Sequence, residues 1–240
     1  MMHDRDVCRM IAAPSLHARD NRGMSSYRIQ VNTEIRCPKT QNHTSNELAG
    51  RQKAPLFLRI ALFFLLVVSN VLVAKYVVFS FSIAPGVSFF YTVVALMIVT
   101  TLWFGMYGAV AAYAGCYIGA GILSGLPPDV SLFWSLADFW QVLIPLIAFR
   151  VFKADPSLRS ARDLGILVVF GIILNNVAGA LWGSVALALP GTIPWGEVPS
   201  VFFGWLIGNI VVCIVLVPLA LYFLTPMVRD HQLFVRHYWS

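Results

Sequence analysis

Asp138 is the residue with the clearest capacity for chemistry in this sequence, because it is a carboxylate inside a long apolar run. Trp134, Asp138, Gln141 and Pro145 recur at spacings of four, three and four residues, which places them on one face of a helix. A charge at such a position costs several kcal/mol unless it is paired, hydrated or protonated. The pattern predicts either a ligand-binding face or a hydrogen bond between helices.

Amides and tryptophans in two further apolar runs extend this candidate site. Asn175 and Asn176 lie near the middle of one run, and Asn209 lies near the middle of another. Amides in an apolar medium need partners, so they either join helices, at ~0.6 kcal/mol each, or bind a polar ligand. Trp182 follows Asn175 by seven residues and Trp205 precedes Asn209 by four, so we expect each on the same face as its amide. The hypothetical ligand-binding set is Trp134, Asp138, Gln141, Asn175, Asn176, Trp182, Trp205 and Asn209.

The patterns of the common catalytic sites are missing from the apolar runs. The sequence has no Walker A motif, no HExxH and no GxSxG, and its four cysteines show no metal-ligand spacing. All five histidines lie outside the runs, at positions 3, 17, 43, 231 and 237. We therefore expect a protein that is not an enzyme, with no catalytic residues, no metal site and no cofactor.

The elements that position these residues are predicted to be membrane helices. Of the 240 residues 58% are hydrophobic and only 12% are charged, and the apolar residues form runs of about 20, the length that spans a bilayer core. The prediction is an all-α membrane protein, a bundle of six transmembrane helices within domain 56–226. A polar, disordered cytoplasmic tail (1–55) precedes it and a short cytoplasmic tail (227–240) follows. The predicted helices are 56–78, 86–104, 106–124, 130–152, 164–189 and 199–224.

The distribution of basic residues chooses between six spans and five. Only Gly105 and Tyr107-Gly108 separate the second predicted helix from the third, and reading these two as one helix would give five spans. Six spans place sixteen of the seventeen Lys and Arg residues on the cytoplasmic side, with Lys75 the exception. Five spans would put Arg150 to Arg162 opposite the N-terminal tail. Six spans with both termini in the cytoplasm of a cell-membrane protein are therefore predicted, and the net charge of +6 follows this topology rather than nucleic-acid binding.

Three segments carry a resemblance to a sensory family. They are the loop Asp-Pro-Ser-Leu-Arg-Ser-Ala-Arg-Asp-Leu at 155–164, Pro-Gly-Thr-Ile-Pro-Trp at 190–195, and a last helix with Trp205, Gly208-Asn209 and Pro218-Leu219. From about residue 60 to 224 the chain resembles the membrane-associated sensor (MASE-type) domains, in which an Asp stands at the position of Asn209. The resemblance implies a sensory module that precedes a kinase or cyclase. Since only about 15 residues follow the last helix, we expect it to act through a separate signalling protein.

A second resemblance leads to an alternative function. Six spans in about 170 residues, with Pro85-Gly86, Trp103-Phe104-Gly105 and Tyr107-Gly108, are similar to the substrate-binding (S) components of energy-coupling-factor vitamin transporters. That resemblance implies a small-molecule ligand bound from the outer side, a separate transmembrane coupling subunit and two ATPases. Such components dock through a small-residue stripe on the first helix, whereas here the third helix carries the stripe: Gly108, Ala112, Gly115 and Gly119.

The expected function is thus an integral membrane sensory module that recognises a small ligand or a membrane signal. The substrate-binding component of an uptake transporter is the alternative, and a structural membrane protein is the third reading. The expected partners are the lipid bilayer, a small-molecule ligand and either the signalling protein or the coupling subunit with its ATPases, with no nucleic acid among them.

Overall fold

The computed structural model describes residues 55–76, 79–84 and 87–235. Five helices among these residues are long and apolar enough to cross a membrane, which is consistent with a multi-pass membrane protein. The predictions for the N-terminal tail and for residues 236–240 lie outside the described residues. The five long helices are α1 (Leu56–Tyr76), α3 (Met106–Ser124), α4 (Pro128–Val151), α5 (Ala161–Ala188) and α6 (Trp195–Val228), and a shorter apolar helix, α2, spans Val93–Phe104.

A β-hairpin stands between α1 and α2. Strand β1 (Phe79–Ala84) pairs antiparallel with β2 (Val87–Phe90), and both strands pack against α6. The prediction of a helix from residue 86 is therefore wrong over residues 87–92, because α2 begins only at Val93. Phenylalanine and serine alternate over 79–82, and this period of two, rich in aromatic residues, is the pattern of a strand.

Gly105 separates α2 from α3, and the predicted break between the second and third helices is confirmed. Its backbone, with φ 61° and ψ −134°, is a conformation open almost only to glycine. Gly108 then packs against the end of α2, where a Cβ would lie 2.6 Å from the Cα of Thr101. With 12 residues α2 is about 18 Å long, less than the ~30 Å of a bilayer core.

Two of the long helices contain π-helical turns. These are Cys116–Gly121 in α3 and Leu167–Leu174 in α5. In addition, α4 is interrupted at Ser135, between the segments Pro128–Trp134 and Leu136–Val151. Such π turns widen the backbone locally and are frequent at functional sites.

Glycines set how closely the helices approach each other. In α3, Gly115 packs on the Asn70 side chain of α1, and a Cβ at Gly119 would lie 3.1 Å from the Cα of Val71. In α5, Gly183 packs on the Trp205 ring of α6. Small residues at such contacts bring backbones close enough to pack by dispersion, which drives helix association in lipid.

One end of the bundle, here called the basic end, consists of the ends of α2, α4 and α6, the start of α5 and the segment 152–160. After α4, the Ala154 N–H donates to the Phe149 carbonyl at 2.8 Å and the Lys153 N–H to the Arg150 carbonyl at 3.2 Å. This is a Schellman cap with Lys153 at the left-handed position, φ 50°. Glycine is usual there, and a residue with a Cβ costs about 1–2 kcal/mol.

The basic end is fastened by contacts among three segments. Arg229 of α6 donates to the Asp155 carboxylate at 3.4 Å. Ser160 caps α5 by accepting the Asp163 N–H at 3.1 Å. The Val235 N–H donates to the Trp103 carbonyl at 2.8 Å, so the residues after α6 fold back over the end of α2.

Asp155 gives the basic end a predictable pH dependence. Partial burial raises the pKa of this carboxyl, but the hydrogen bond from the Ser157 backbone N–H and the charges of Arg229 and Arg159 outweigh burial and hold the pKa below its usual value. A lowered folded-state pKa contributes stability above the unfolded pKa of about 3.9, and that stability is lost as the pH falls through the folded value.

We therefore expect Asp155→Asn to lower the free energy of unfolding at pH 7 by less than about 1 kcal/mol, because the Arg229–Asp155 ion pair is partly exposed. The difference between the variant and the wild type should begin to shrink below about pH 4 and disappear only as the pH falls through the lowered folded-state pKa of Asp155. Thermal unfolding in detergent between pH 3 and 7 measures both effects, with Asp129→Asn, at the exposed start of α4, as the matched control. A constant difference at every pH would contradict the assignment.

Candidate ligand-binding site

Three elements converge on the buried carboxylate of Asp138. The Tyr91 hydroxyl, between β2 and α2, donates to Oδ2 at 3.3 Å. Cys116, at the start of the π turn of α3, is a second neighbour of this carboxylate. The other oxygen, Oδ1, is buried and has no hydrogen-bond partner among the described residues. The carboxylate is thus held on one side and open to a further donor on the other.

A chain of polar contacts joins α4, α5 and α6 one turn beyond Asp138. The Gln141 side-chain NH₂ donates to Asn176 Oδ1 at 2.6 Å. Asn176 in turn donates to the Ile172 carbonyl at 2.8 Å and to Cys213 Sγ of α6 at 3.6 Å. The Gln141 carboxamide occupies the space that a Cβ at Gly179 would take. Asn176 therefore joins helices, which is one of the two roles expected for the amides.

Asn175 and Asn209 are in a different situation. Both are fully buried, and in both the amide oxygen and nitrogen have no partner among the described residues. Asn209 lies four residues from Trp205 and four from Cys213, and those two contact Gly183 and Asn176 of α5. Asn209 therefore faces α5 between these contacts.

Two indoles lie at the end of this polar region nearest the start of α6. The Trp134 and Trp205 rings are 5.7 Å apart between centroids, and both are buried. Neither indole N–H has a partner within the described part of the chain. Indole faces of this kind suit a planar ligand, and their N–H groups suit an acceptor.

Trp182 is the predicted site residue that lies elsewhere. Its ring is partly exposed, and its N–H donates to the Phe133 carbonyl at 3.0 Å. It packs on the rings of Phe133 and Trp140 and lines a groove on the outer surface of the bundle. The other seven predicted residues are all buried in the interior.

We call the interior set the polar array. Eight of its buried groups have no partner among the described residues: four acceptor oxygens, two amide nitrogens and two indole N–H groups. A buried group left without a hydrogen bond costs about 1–3 kcal/mol. The array therefore suits a small polar molecule that offers both donors and acceptors. Its members are Tyr91, Cys116, Trp134, Asp138, Gln141, Asn175, Asn176, Trp205, Asn209 and Cys213.

Three members of the polar array were not predicted as site residues from the sequence: Tyr91, Cys116 and Cys213. Cys213 follows Asn209 by four residues, so helical spacing could have found it. Tyr91 was missed because it was placed inside the second predicted helix. Within the described ranges no group of three or more His, Cys, Asp or Glu residues could hold a metal ion.

Comparison with protein-family models, curated proteins and solved structures gave no match to this chain.

Adjacent asparagines allow a matched test of the two roles. Asn176→Leu removes the acceptor of the Gln141 NH₂ and should destabilise the protein by about 1–3 kcal/mol, since a buried donor loses its partner. Asn175→Leu removes two groups that have no partner and should leave the stability unchanged or higher. Thermal unfolding of the two variants in one detergent measures the difference. Equal destabilisation by both would show that Asn175 also joins helices.

Proposed function

We propose that this protein is a membrane-embedded sensory module that recognises a small polar ligand in the polar array and acts through a separate partner protein. The observation that carries the proposal is the concentration of unpartnered polar groups in the interior, on three neighbouring helices. Buried polar groups in proteins are nearly always hydrogen-bonded, so such a concentration favours a partner that the described residues do not supply. Carboxylates inside membrane segments are a typical mark of ligand or ion sites.

Three features favour a ligand over packing alone. The array contains its own joining contacts through Gln141 and Asn176, so the remaining groups are not needed to hold the helices together. Donors and acceptors are present in equal number, as for a ligand of mixed polarity. The paired indoles of Trp134 and Trp205 offer apolar faces beside these polar groups, the combination usual in small-molecule sites.

The topology that belongs to this proposal has six crossings of the cell membrane, with both termini on the cytoplasmic side. Laid end to end, β2 and α2 would extend about 31 Å, at ~3.3 Å per strand residue and ~1.5 Å per helix residue, and this length would be sufficient for the proposed second crossing. A hairpin at that depth is tolerated where protein covers it, and both strands pack against α6. Lys75, the basic residue placed on the outer side, donates to the Leu123 carbonyl at the end of α3 at 3.3 Å.

The helices that carry the array also reach the basic end. α4 carries Asp138 and Gln141 and ends beside Asp155, while α6 carries Asn209 and ends beside Arg229. A ligand that draws α4 and α6 together at the array would change the spacing of the two helices at the ion pair. The cytoplasmic face formed there is the surface on which a partner would detect occupancy.

The transport component is the second candidate. In sequence, α3 carries the stripe of small residues on which a coupling subunit would dock. In the structure α1 covers this stripe, since its residues Asn70, Val71 and Ala74 pack on Gly115 and Gly119. A coupling subunit would therefore have to dock on the exposed aliphatic face of α1 instead. This arrangement favours the sensory proposal.

The ligand proposal is tested on protein purified from its host in mild detergent, by mass spectrometry of small molecules released on denaturation. We expect Asp138→Ala and Trp205→Phe to lose a compound that the wild type retains, with membrane insertion unchanged, because both side chains face the array. Trp182→Phe is the matched tryptophan control and should retain the compound. The same small molecules in all four preparations, or none in any, would remove the proposed site.

The partner proposal is tested by mild-detergent co-purification from the native host, with mass spectrometry of the accompanying proteins. A kinase, cyclase or other signalling protein is the expected result, since the array and the basic end share α4 and α6. Two ATPases and a second membrane subunit would replace the sensory proposal with the transport one.

A further inference from the structure

A cavity separate from the polar array opens at the basic end. Its volume is about 460 Å³, within the range of small-molecule sites. Buried apolar side chains of α2 and α4 form part of its lining: Leu102, Leu146 and Phe149. Phe234 and Val235, from the segment that folds back after α6, also line it. The cavity therefore combines an apolar wall with a position at one end of the helices.

The charged lining is predominantly basic. Arg150, Lys153 and Arg229 line the cavity together with one carboxylate, Asp155, so three positive charges less one negative leave +2. Asp155 is already engaged by Arg229 at 3.4 Å and by the Ser157 N–H at 2.9 Å. The position of Asp155 is thus fixed, and the described lining of the cavity carries more basic than acidic side chains.

Lys153 provides an independent sign that this arrangement serves a ligand. It holds the left-handed position of the Schellman cap after α4, where glycine would avoid the steric penalty of a Cβ. The fold therefore bears a local strain that brings a lysine to the lining of a cavity. Backbone strain of this kind is typical of binding sites, and here a second cation source, Arg150, lies three residues away in the same lining.

We propose that this cavity binds a phosphate ester that carries an apolar group, with the phosphate at Lys153, Arg150 and Arg229 and the apolar part against Leu146 and Phe149. Basic pockets between helices at a cytoplasmic membrane surface bind the head groups of anionic lipids. The source we assign is an anionic phospholipid of the surrounding bilayer. A soluble phosphate ester shares the same chemistry, and the experiment separates the two sources.

The experiment is native mass spectrometry of the full chain in detergent, titrated with palmitoyl-oleoyl phosphatidylglycerol or with the matching phosphatidylcholine. We expect one phosphatidylglycerol to bind at least tenfold more tightly than phosphatidylcholine. Lys153→Gly should weaken that binding about fivefold, the value for ~1 kcal/mol per cation, while thermal stability in neutral detergent is unchanged or higher. Lys153→Arg, which keeps the charge, should retain the preference.

Arg159→Gln is the matched control, because Arg159 is exposed at the same end and does not line the cavity. Its effect on binding should be less than twofold. An equal loss in Arg159→Gln and Lys153→Gly would overturn the proposal, since it would show diffuse attraction to a positive surface. Equal binding of phosphatidylglycerol and phosphatidylcholine, combined with no thermal shift from the soluble probe phenyl phosphate, would also overturn the proposal.

The soluble source is tested by thermal shift with phenyl phosphate, with inorganic phosphate for comparison. Stabilisation by phenyl phosphate that disappears in Lys153→Gly, without any preference for phosphatidylglycerol, would support the phosphate-ester site and reassign its source to the aqueous phase.

Discussion

A polar group buried in hydrocarbon cannot hydrogen-bond to water, so it must find its partners within the protein. This constraint determines the contacts at the centre of the bundle. Gln141, Asn176 and Cys213 form a continuous line of donors and acceptors across α4, α5 and α6. The contact requires close backbones, and Gly179 provides the space for the Gln141 carboxamide. The register of these three helices is therefore fixed by one set of hydrogen bonds.

The polar array and the cavity at the basic end differ in their electrostatics. The polar array lies in the buried interior, where one carboxylate lies among neutral amides and indoles. The described lining of the cavity at the basic end has three basic side chains and one carboxylate. Under the two proposals above, the array would select a ligand by matched hydrogen bonds, and the cavity would select one by its charge.

Much of the helical architecture could be predicted, because apolar runs of about 20 residues have few alternatives in a membrane. The first part of the second helix could not be predicted in this way, since hydropathy does not distinguish a strand from a helix when both are apolar; the Phe/Ser alternation of 79–82 was the available signal. Helical spacing correctly grouped Asp138 with Gln141 in the buried interior. Helical spacing placed Trp182 wrongly. The face of α5 that meets α6 is centred on Asn176 and Gly183. Trp182 is next to Gly183 in sequence and lies off this face, and its indole N–H donates to the Phe133 carbonyl of α4.

The π-helical segment of α5 also determines how tolerant the protein is to changes of length. A π turn contains one residue more than an α turn. The segment Leu167–Leu174 therefore accommodates an extra residue that, in a regular α-helix, would rotate all the following side chains about the helix axis. Loss of one residue from this segment would let the chain continue as regular α-helix, with Asn176 and Gly179 still on the face of α4. Loss of one residue from an ordinary α-helical turn would instead turn everything after it by about 100°. The π-helical segment is therefore the place in α5 where a change of length by one residue disturbs the contacts of Asn176 and Gly179 least.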